Sequence, residues 1–255
     1  MLPRSIKQCA VPIIMNQLKL GILQVNHDKS VEVGDAFPDD AHRFRDLFDQ
    51  QDQRFKYRIY MTIGGELPKN LDEQDAYLIT GSPLSVLDKH IFSDGLSDFI
   101  QECDARKKKL VGTCFGHQAI ALALGAHVER STSGYNVGVE ETHFHQRCRW
   151  MVPFKEKLSM HVFHEDQVQD VPPECSLLGS SQKCPVAGFT KGNHILTTQA
   201  HPEFTNPFMN CVLDFTKNHI SADVFKTAKA SLDSPLEGDV FATWCAHFFK
   251  DHDHG

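Results

Sequence analysis

Three short stretches of this chain carry residue types that do chemistry together. The first is Gly112-Thr-Cys114-Phe-Gly116, a cysteine with a glycine two residues away on either side. That spacing suits a strand that becomes a helix with no intervening loop, the nucleophile-elbow pattern with sulfur in place of oxygen. The turn residue is then held in a strained backbone with its side chain exposed, and the glycines let neighbouring backbone close in. At a helix N-terminus, unpaired N–H groups and the dipole favour thiolate over thiol. Most free cysteines are inert small hydrophobes, so the reading of Cys114 as a nucleophile rests on the joint pattern. The second stretch is His201-Pro-Glu203. Side chains two positions apart on an extended segment point the same way, which places Glu203 to orient the His201 imidazole and His201 to take a proton from sulfur. The third is Gly81-Ser82-Pro83 at the end of a strand-like run. A backbone N–H at Gly81 or Ser82, together with that of Phe115, makes a candidate pair of donors for an oxyanion.

These stretches need a scaffold that gathers strand ends, and the hydrophobic pattern supplies one. Residues 18–26 alternate and then run continuously apolar, as an opening strand of a mostly parallel sheet does. Phe44, Leu47 and Phe48 fall at helical spacing within 39–51, and 55–63 and 75–81 read as strands. An amphipathic helix over 91–107 turns Ile91, Leu96, Phe99, Ile100 and Cys103 inward. Its basic end, Arg106-Lys-Lys-Lys109, reads as a solvated, dipole-matched terminus. The strand 110–113 then delivers Cys114. This alternation is that of a doubly wound α/β sheet, whose sites lie beyond the carboxyl ends of the strands, so Gly81-Ser82-Pro83 and Cys114 are expected to face one crevice.

Beyond Ala126, strand-like pieces at 138–145, 158–163, 176–181 and 186–190 precede a last core strand, 195–200, that leads into His201. Residues 206–217, 221–231 and 240–250 read as added C-terminal helices before a frayed tail. With no internal repeat and no biased linker, residues 15–255 read as one domain and residues 1–14, ahead of Met15, as an extension outside it.

Composition narrows the partners. A formal net charge of −7 argues against a sequence-independent nucleic-acid binder, which needs a basic face. No run approaches the ~18 apolar residues that a bilayer-spanning helix needs. Eight cysteines, irregularly spaced and without a CxxC pair, fit reduced thiols of the cytoplasm better than a disulfide framework. His143 and His145 share a strand face and Cys148, His161 and His164 follow, but the set has no recognised ligand spacing and no metal is expected there.

Gly112-Thr-Cys-Phe-Gly-His-Gln118 together with Ala200-His-Pro-Glu203 resembles the class I (triad) glutamine amidotransferases, and the chain order Cys, His, Glu matches theirs. The resemblance runs from about Leu18 to Phe208. It implies a flavodoxin-like doubly wound α/β fold with a nucleophile elbow. It also implies Cys114 as nucleophile, His201 as base and then acid, and Glu203 as the orienting carboxylate. Gln118 matches the elbow glutamine that binds the substrate's amino-acid end, and Phe163-His-Glu-Asp-Gln-Val168 resembles a loop whose backbone, at His164 and Glu165, contacts the glutamyl α-carboxylate. Two departures stand out: Glu165 replaces a glycine of that loop, and Gly-Ser-Pro replaces the Gly-Gly-Pro typical of the oxyanion strand.

The resemblance implies attack of the Cys114 thiolate on a γ-glutamyl amide, release of ammonia or an amine, and hydrolysis of the γ-glutamyl thioester, with no metal or organic cofactor. The chain carries no P-loop and no ATP-pyrophosphatase signature. Its variant motifs resemble free-standing relatives, including γ-glutamyl peptidases. A free-standing hydrolase of glutamine or a γ-glutamyl peptide is therefore the leading expectation. The alternatives are a glutaminase subunit delivering ammonia to a separate synthase, and a non-catalytic binding protein on the same fold.

Overall fold

The computed structural model describes residues 17–251, so the extension read at 1–14 and the tail beyond 251 lie outside the described residues. The chain opens with β1 (Leu18–Leu23), α1 (Asp40–Asp49), β2 (Phe55–Tyr60), β3 (Ala76–Ile79), α2 (Ser93–Ala105) and β4 (Lys109–Thr113), which runs into α3 (Phe115–Ala123). The strands β5 (Val128–Arg130), β6 (Asn136–Phe144), β7 (Lys157–His164), β8 (Asp166–Val168), β9 (Ser176–Ser180), β10 (Gly188–Lys191) and β11 (Ile195–Thr198) follow. Three helices, α4 (Asn206–Thr216), α5 (Ala222–Ser231) and α6 (Gly238–Lys250), end the described chain.

Nine strands form one sheet in the order β2-β1-β3-β4-β11-β10-β9-β6-β7. The members from β2 to β11 pair in parallel, and from β11 to β7 the pairing is antiparallel. The parallel half is buried on both faces, which is why its strands are continuously apolar. Successive residues go to opposite sides. Leu20, Ile22, Leu78, Val111 and Leu196 face a core shared with Phe44 and Phe48 of α1 and Phe241, Trp244 and Phe248 of α6. Leu23, Tyr77, Ile79, Leu110 and Ile195 face a second core with Leu96, Phe99 and Ile100 of α2 and Ile120 of α3. Of the helices after 206, α6 is thus a layer of the main core, its Trp244 indole donating to Pro153 O at 2.8 Å. The other two, α4 and α5, cover β6 with a third cluster that includes Met209, Leu213, Ala228 and Val137.

Local chemistry fixes where the helices begin. Asp39 caps α1 by accepting from His42 N–H, Thr205 caps α4 from Phe208 N–H, and Ser221 caps α5 from Val224 N–H. One inward assignment is corrected: α2 starts at Ser93, so Ile91 lies in the turn before it and is 83% exposed. The basic run is only partly a solvated end: α2 stops at Ala105, Arg106 just beyond it is exposed and pairs with Asp72, whereas Lys109 is buried as the first residue of β4 and donates to Asn193 O. Among the described residues no helix is long and apolar enough to cross a membrane.

The order β2-β1-β3-β4 places a topological switch between β1 and β3, where a doubly wound sheet opens a crevice beyond its strand ends. A cleft of about 540 Å³ lies there. The chain just after β1 supplies Asn26, that after β3 Ser82, that after β4 Cys114 and that after β11 His201.

Candidate active site

Strand β4 becomes α3 within one residue, and that residue is Cys114, at φ 47° and ψ −104°. Contrary to the expectation of an exposed side chain, it is only 3% exposed, because the elbow sits at the floor of the cleft rather than at its rim. Positive φ at a non-glycine residue carries a cost of about 1–3 kcal/mol, held by the surroundings. Here the holding groups are explicit: Cys114 N–H donates to Thr198 O of β11 at 2.9 Å, and Gln118 N–H closes the first helical turn onto Cys114 O at 3.1 Å. The turn fits because its flanking residues lack side chains. A Cβ on Gly112 would lie 2.6 Å from Gly116 O, and one on Gly116 would lie 2.4 Å from Ile79 O. The N–H groups of Phe115, Gly116 and His117 precede the first intrahelical bond, which leaves the helix start as a donor cluster beside the sulfur.

His201 follows β11 and is fixed from three directions. Its Nδ1 donates to Glu203 Oε1 at 2.8 Å, its backbone N–H donates to His161 O at 2.8 Å, and its ring stacks on Phe204. The imidazole is hydrogen-bonded to Cys114 on its other side. Burial opposes its protonation, but the neighbouring Cys114 and Glu203, through charge and hydrogen bonds, more than compensate and raise the His201 pKa to about 10. The structure therefore brings Cys114 and Glu203 together around the His201 imidazole. Gly81 explains how the strand end after β3 gets so near. A Cβ there would lie 2.6 Å from His201 Cε1 and 3.5 Å from Cys114 Cβ.

Gln118, His164 and Glu165 also line the cleft. Gln118 spends its amide hydrogens inside the protein, on Asp166 O at 2.6 Å and Gln199 Oε1 at 3.1 Å. His164 donates from Nδ1 to Asp166 O at 3.0 Å, and its Nε2 faces Asn136 Nδ2 at 3.3 Å. Burial pushes His164 down to about 4, so it is a neutral ring of fixed tautomer. The Glu165 carboxylate turns to Arg130 Nε at 3.2 Å, which also meets Asp166 Oδ1 at 3.3 Å.

Arg130, Asp166 and Ser85, whose hydroxyl donates to Asp166, received no role of their own in the sequence reading. Arg130 and Asp166 sit on three-residue strands that the pairing of β5 with β8 brings together, and Ser85 comes from the loop after β3. Another wall of the cleft is apolar, built by Phe37 and by Phe208, Val212, Phe215 and Ile220 from α4 and the turn after it. Also unforeseen is Asp40, fully buried and pushed up by that burial, although Arg43 and Asn26 hold it and Glu203 lies close by. No group of three or more His, Cys, Asp or Glu among the described residues is arranged to hold a metal ion. His143 instead pairs with Glu141 at 2.9 Å, and His145 Nε2 meets Ser180 Oγ at 2.7 Å.

A family model described as glutamine amidotransferase class-I matches residues 54–211, a span holding both Cys114 and His201. The chain belongs to the class I glutamine amidotransferases. Among curated members, this chain is 29% identical to gamma-glutamyl peptidase 3 of Arabidopsis thaliana over 206 residues, which is 76% of this chain and 83% of the relative. It is 34% identical to a putative glutamine amidotransferase of Saccharomyces cerevisiae over 159 residues, 59% of this chain and 63% of that one. The crystal structure of a glutamine amidotransferase from Thermotoga maritima superposes on it with a TM-score of 0.69 at 20% identity, covering 91% of this chain and 99% of that one. The amidotransferase fold is thus shared where little of the sequence is.

Proposed function

We propose that this member of the class I glutamine amidotransferase family is a hydrolase of γ-glutamyl amides that works through a thioester on Cys114. The observation that carries the reading is the buried line Cys114–His201–Glu203 at the mouth of α3, with the imidazolium favoured. The Cys114 thiolate attacks the γ-carbonyl carbon, and the charge that develops on oxygen is met by the Phe115 N–H and by a backbone N–H at Gly81 or Ser82. The imidazolium of His201 then passes its proton to the departing nitrogen, and the C–N bond breaks. Neutral His201 next takes a proton from water, whose oxygen attacks the thioester and releases glutamate and the thiolate. Glu203 holds Nδ1 throughout, so the other ring nitrogen always faces sulfur or the leaving group.

The glutamyl end is read by opposite charges. Asp166 is a buried carboxylate suited to the α-ammonium, and the backbone at His164 and Glu165 together with Arg130 suits the α-carboxylate. With its amide committed to Asp166 and Gln199, Gln118 acts by holding that loop in place. The cleft volume and the apolar wall of α4 support a leaving group larger than ammonia, hence a γ-glutamyl peptide or conjugate over glutamine. The relative named gamma-glutamyl peptidase 3 supports the same substrate class.

The test is amine or ammonia release by the purified protein from glutamine, glutathione and a γ-glutamyl anilide, with Cys114→Ala as control and the Cys114 adduct trapped at acid pH for mass spectrometry. Turnover of the larger amides with an acyl adduct on Cys114 is expected. A protein silent alone and active only with an added synthase would be an ammonia-delivering subunit, and one that forms no adduct at all would be a binding protein; either result sinks the proposal.

A further inference from the structure

Phe204 follows Glu203 directly, and its ring lies face to face with the His201 imidazole, centroids 3.9 Å apart and planes inclined by 16°. The face of an aromatic ring is electronegative and attracts a cation above it. A protonated imidazole gains from this stack, and a neutral one gains little. The ring is also braced. Phe208 meets it edge to face at 4.6 Å, Phe37 meets Phe208 at 5.4 Å, and the Arg43 guanidinium lies 3.9 Å over Phe208. Arg43 is in turn paired with the buried Asp40, so a segment of α1 fixes the platform on which the imidazole rests.

We propose that Phe204 is a positioning residue for His201, its ring face holding the imidazole in line with Cys114 and favouring the imidazolium. The role rests on the hydrolase reading above, in which that imidazolium is the acid; the stack itself does not. Charged and titratable groups face His201 from every packed element. They are Cys114 at the start of α3, Glu203 on its own segment, His161 and His164 on β7, and Asp40 on α1. Arg43 lies 5.5 Å over the Phe204 ring and opposes a second cation there. None of these groups is removed when Phe204 becomes leucine, so the difference isolates the ring face. Phe204 is only partly buried, which makes the change tolerable to the fold.

The experiment is the pH dependence of Cys114 alkylation by iodoacetate, read on the Cys114 peptide by mass spectrometry, in wild type, Phe204→Leu and Phe204→Tyr. An anionic reagent reacts fastest while thiolate and imidazolium coexist, so the alkaline limb of the bell reports the loss of the His201 proton. In Phe204→Leu that limb is expected to move to lower pH by about half a unit to one and a half units, and in Phe204→Tyr, which keeps the ring face, to stay where it is. A limb unmoved in Phe204→Leu, or moved equally in both variants, overturns the inference and leaves the hydrolase reading standing. A wild-type protein whose Cys114 titrates as a simple thiol, without the bell, overturns the His201 assignment and this inference with it.

Discussion

Replacing Gly81 with alanine adds one methyl group at the closest approach between the oxyanion strand and the imidazole. The new Cβ would lie 2.6 Å from His201 Cε1 and 3.2 Å from Nδ1, where ordinary contact begins at 3.4 Å, so the ring must retreat by about 0.8 Å (3.4 − 2.6). It has little room to do so, since Phe204 lies 3.9 Å beneath it and Glu203 holds Nδ1 at 2.8 Å. A misplacement near 1 Å costs about 10²-fold in rate, and that is the loss in kcat/KM expected for a γ-glutamyl anilide. Stability should change far less. Gly81 is not among the positive-φ glycines, so alanine suits its backbone. The overpacking cost of about 1–3 kcal/mol is partly offset by the ~0.4–1 kcal/mol that alanine gains by restricting the unfolded chain. The backbone N–H remains, so a loss of activity cannot be assigned to a missing oxyanion donor. The assay pairs kcat/KM with a thermal melt. A folded Gly81→Ala protein of undiminished kcat/KM would refute the claim that this contact sets the Cys114–His201 geometry.

Two further outcomes are open to measurement. Burial holds His117 down to about 3 and His161 and His164 to about 4, against 6.5 when unfolded. The unfolded chain therefore binds more protons below 6.5, and the stability these neutral rings contribute is lost as the pH falls from 6.5 toward 4. His201, raised to about 10, has the opposite sign, its contribution being lost as the pH climbs from 6.5 toward 10. Melting temperature should peak near neutrality, with the alkaline decline weakened in His201→Gln; an unchanged alkaline slope in that variant would contradict the assignment. For the glutamyl end, Asp166→Asn removes a charge-assisted contact worth about 1.5–3 kcal/mol, so KM is expected to rise about 10- to 100-fold with kcat moved much less. A kcat loss at constant KM would instead mean that Asp166 merely supports the loop.

The parts legible in the sequence are those where backbone geometry dictates residue type. The elbow needs glycine on both sides of Cys114 because backbone oxygens lie where side chains would be, and that requirement is written within five residues. His201 and Glu203 were readable for a similar reason, since one intervening residue on an extended segment aims both side chains alike. The buried parallel strands announced themselves through unbroken apolar runs. Three-residue β5 and β8 are too short to leave a period; Arg130 passed unseen, and Asp166, although within the 163–168 stretch, received no role of its own. Ile91 was misread because the helical period extends past the turn that begins α2, and the period alone does not mark a boundary. The Asp40–Arg43–Phe208–Phe204 platform joins α1 to the segment after β11, and no local pattern encodes a contact between residues so far apart in the chain.

One backbone contact ties the two halves of the sheet together at the site. Cys114 belongs to the parallel half, and an isolated antiparallel bridge between His161 and His201 also attaches the base to β7, the far edge of the sheet. The antiparallel strands curl back for this pairing to form, so the base, carried by β11 of the parallel half, is also braced from the far edge, across a seam. Opening of the β6–β7 hairpin would remove one of the supports of the base while the parallel core stayed intact, since regions open locally at less than the global free energy. Catalytic competence would then fade ahead of the main unfolding transition on warming, and the exchange rate of the His201 amide hydrogen would time how often the seam breathes.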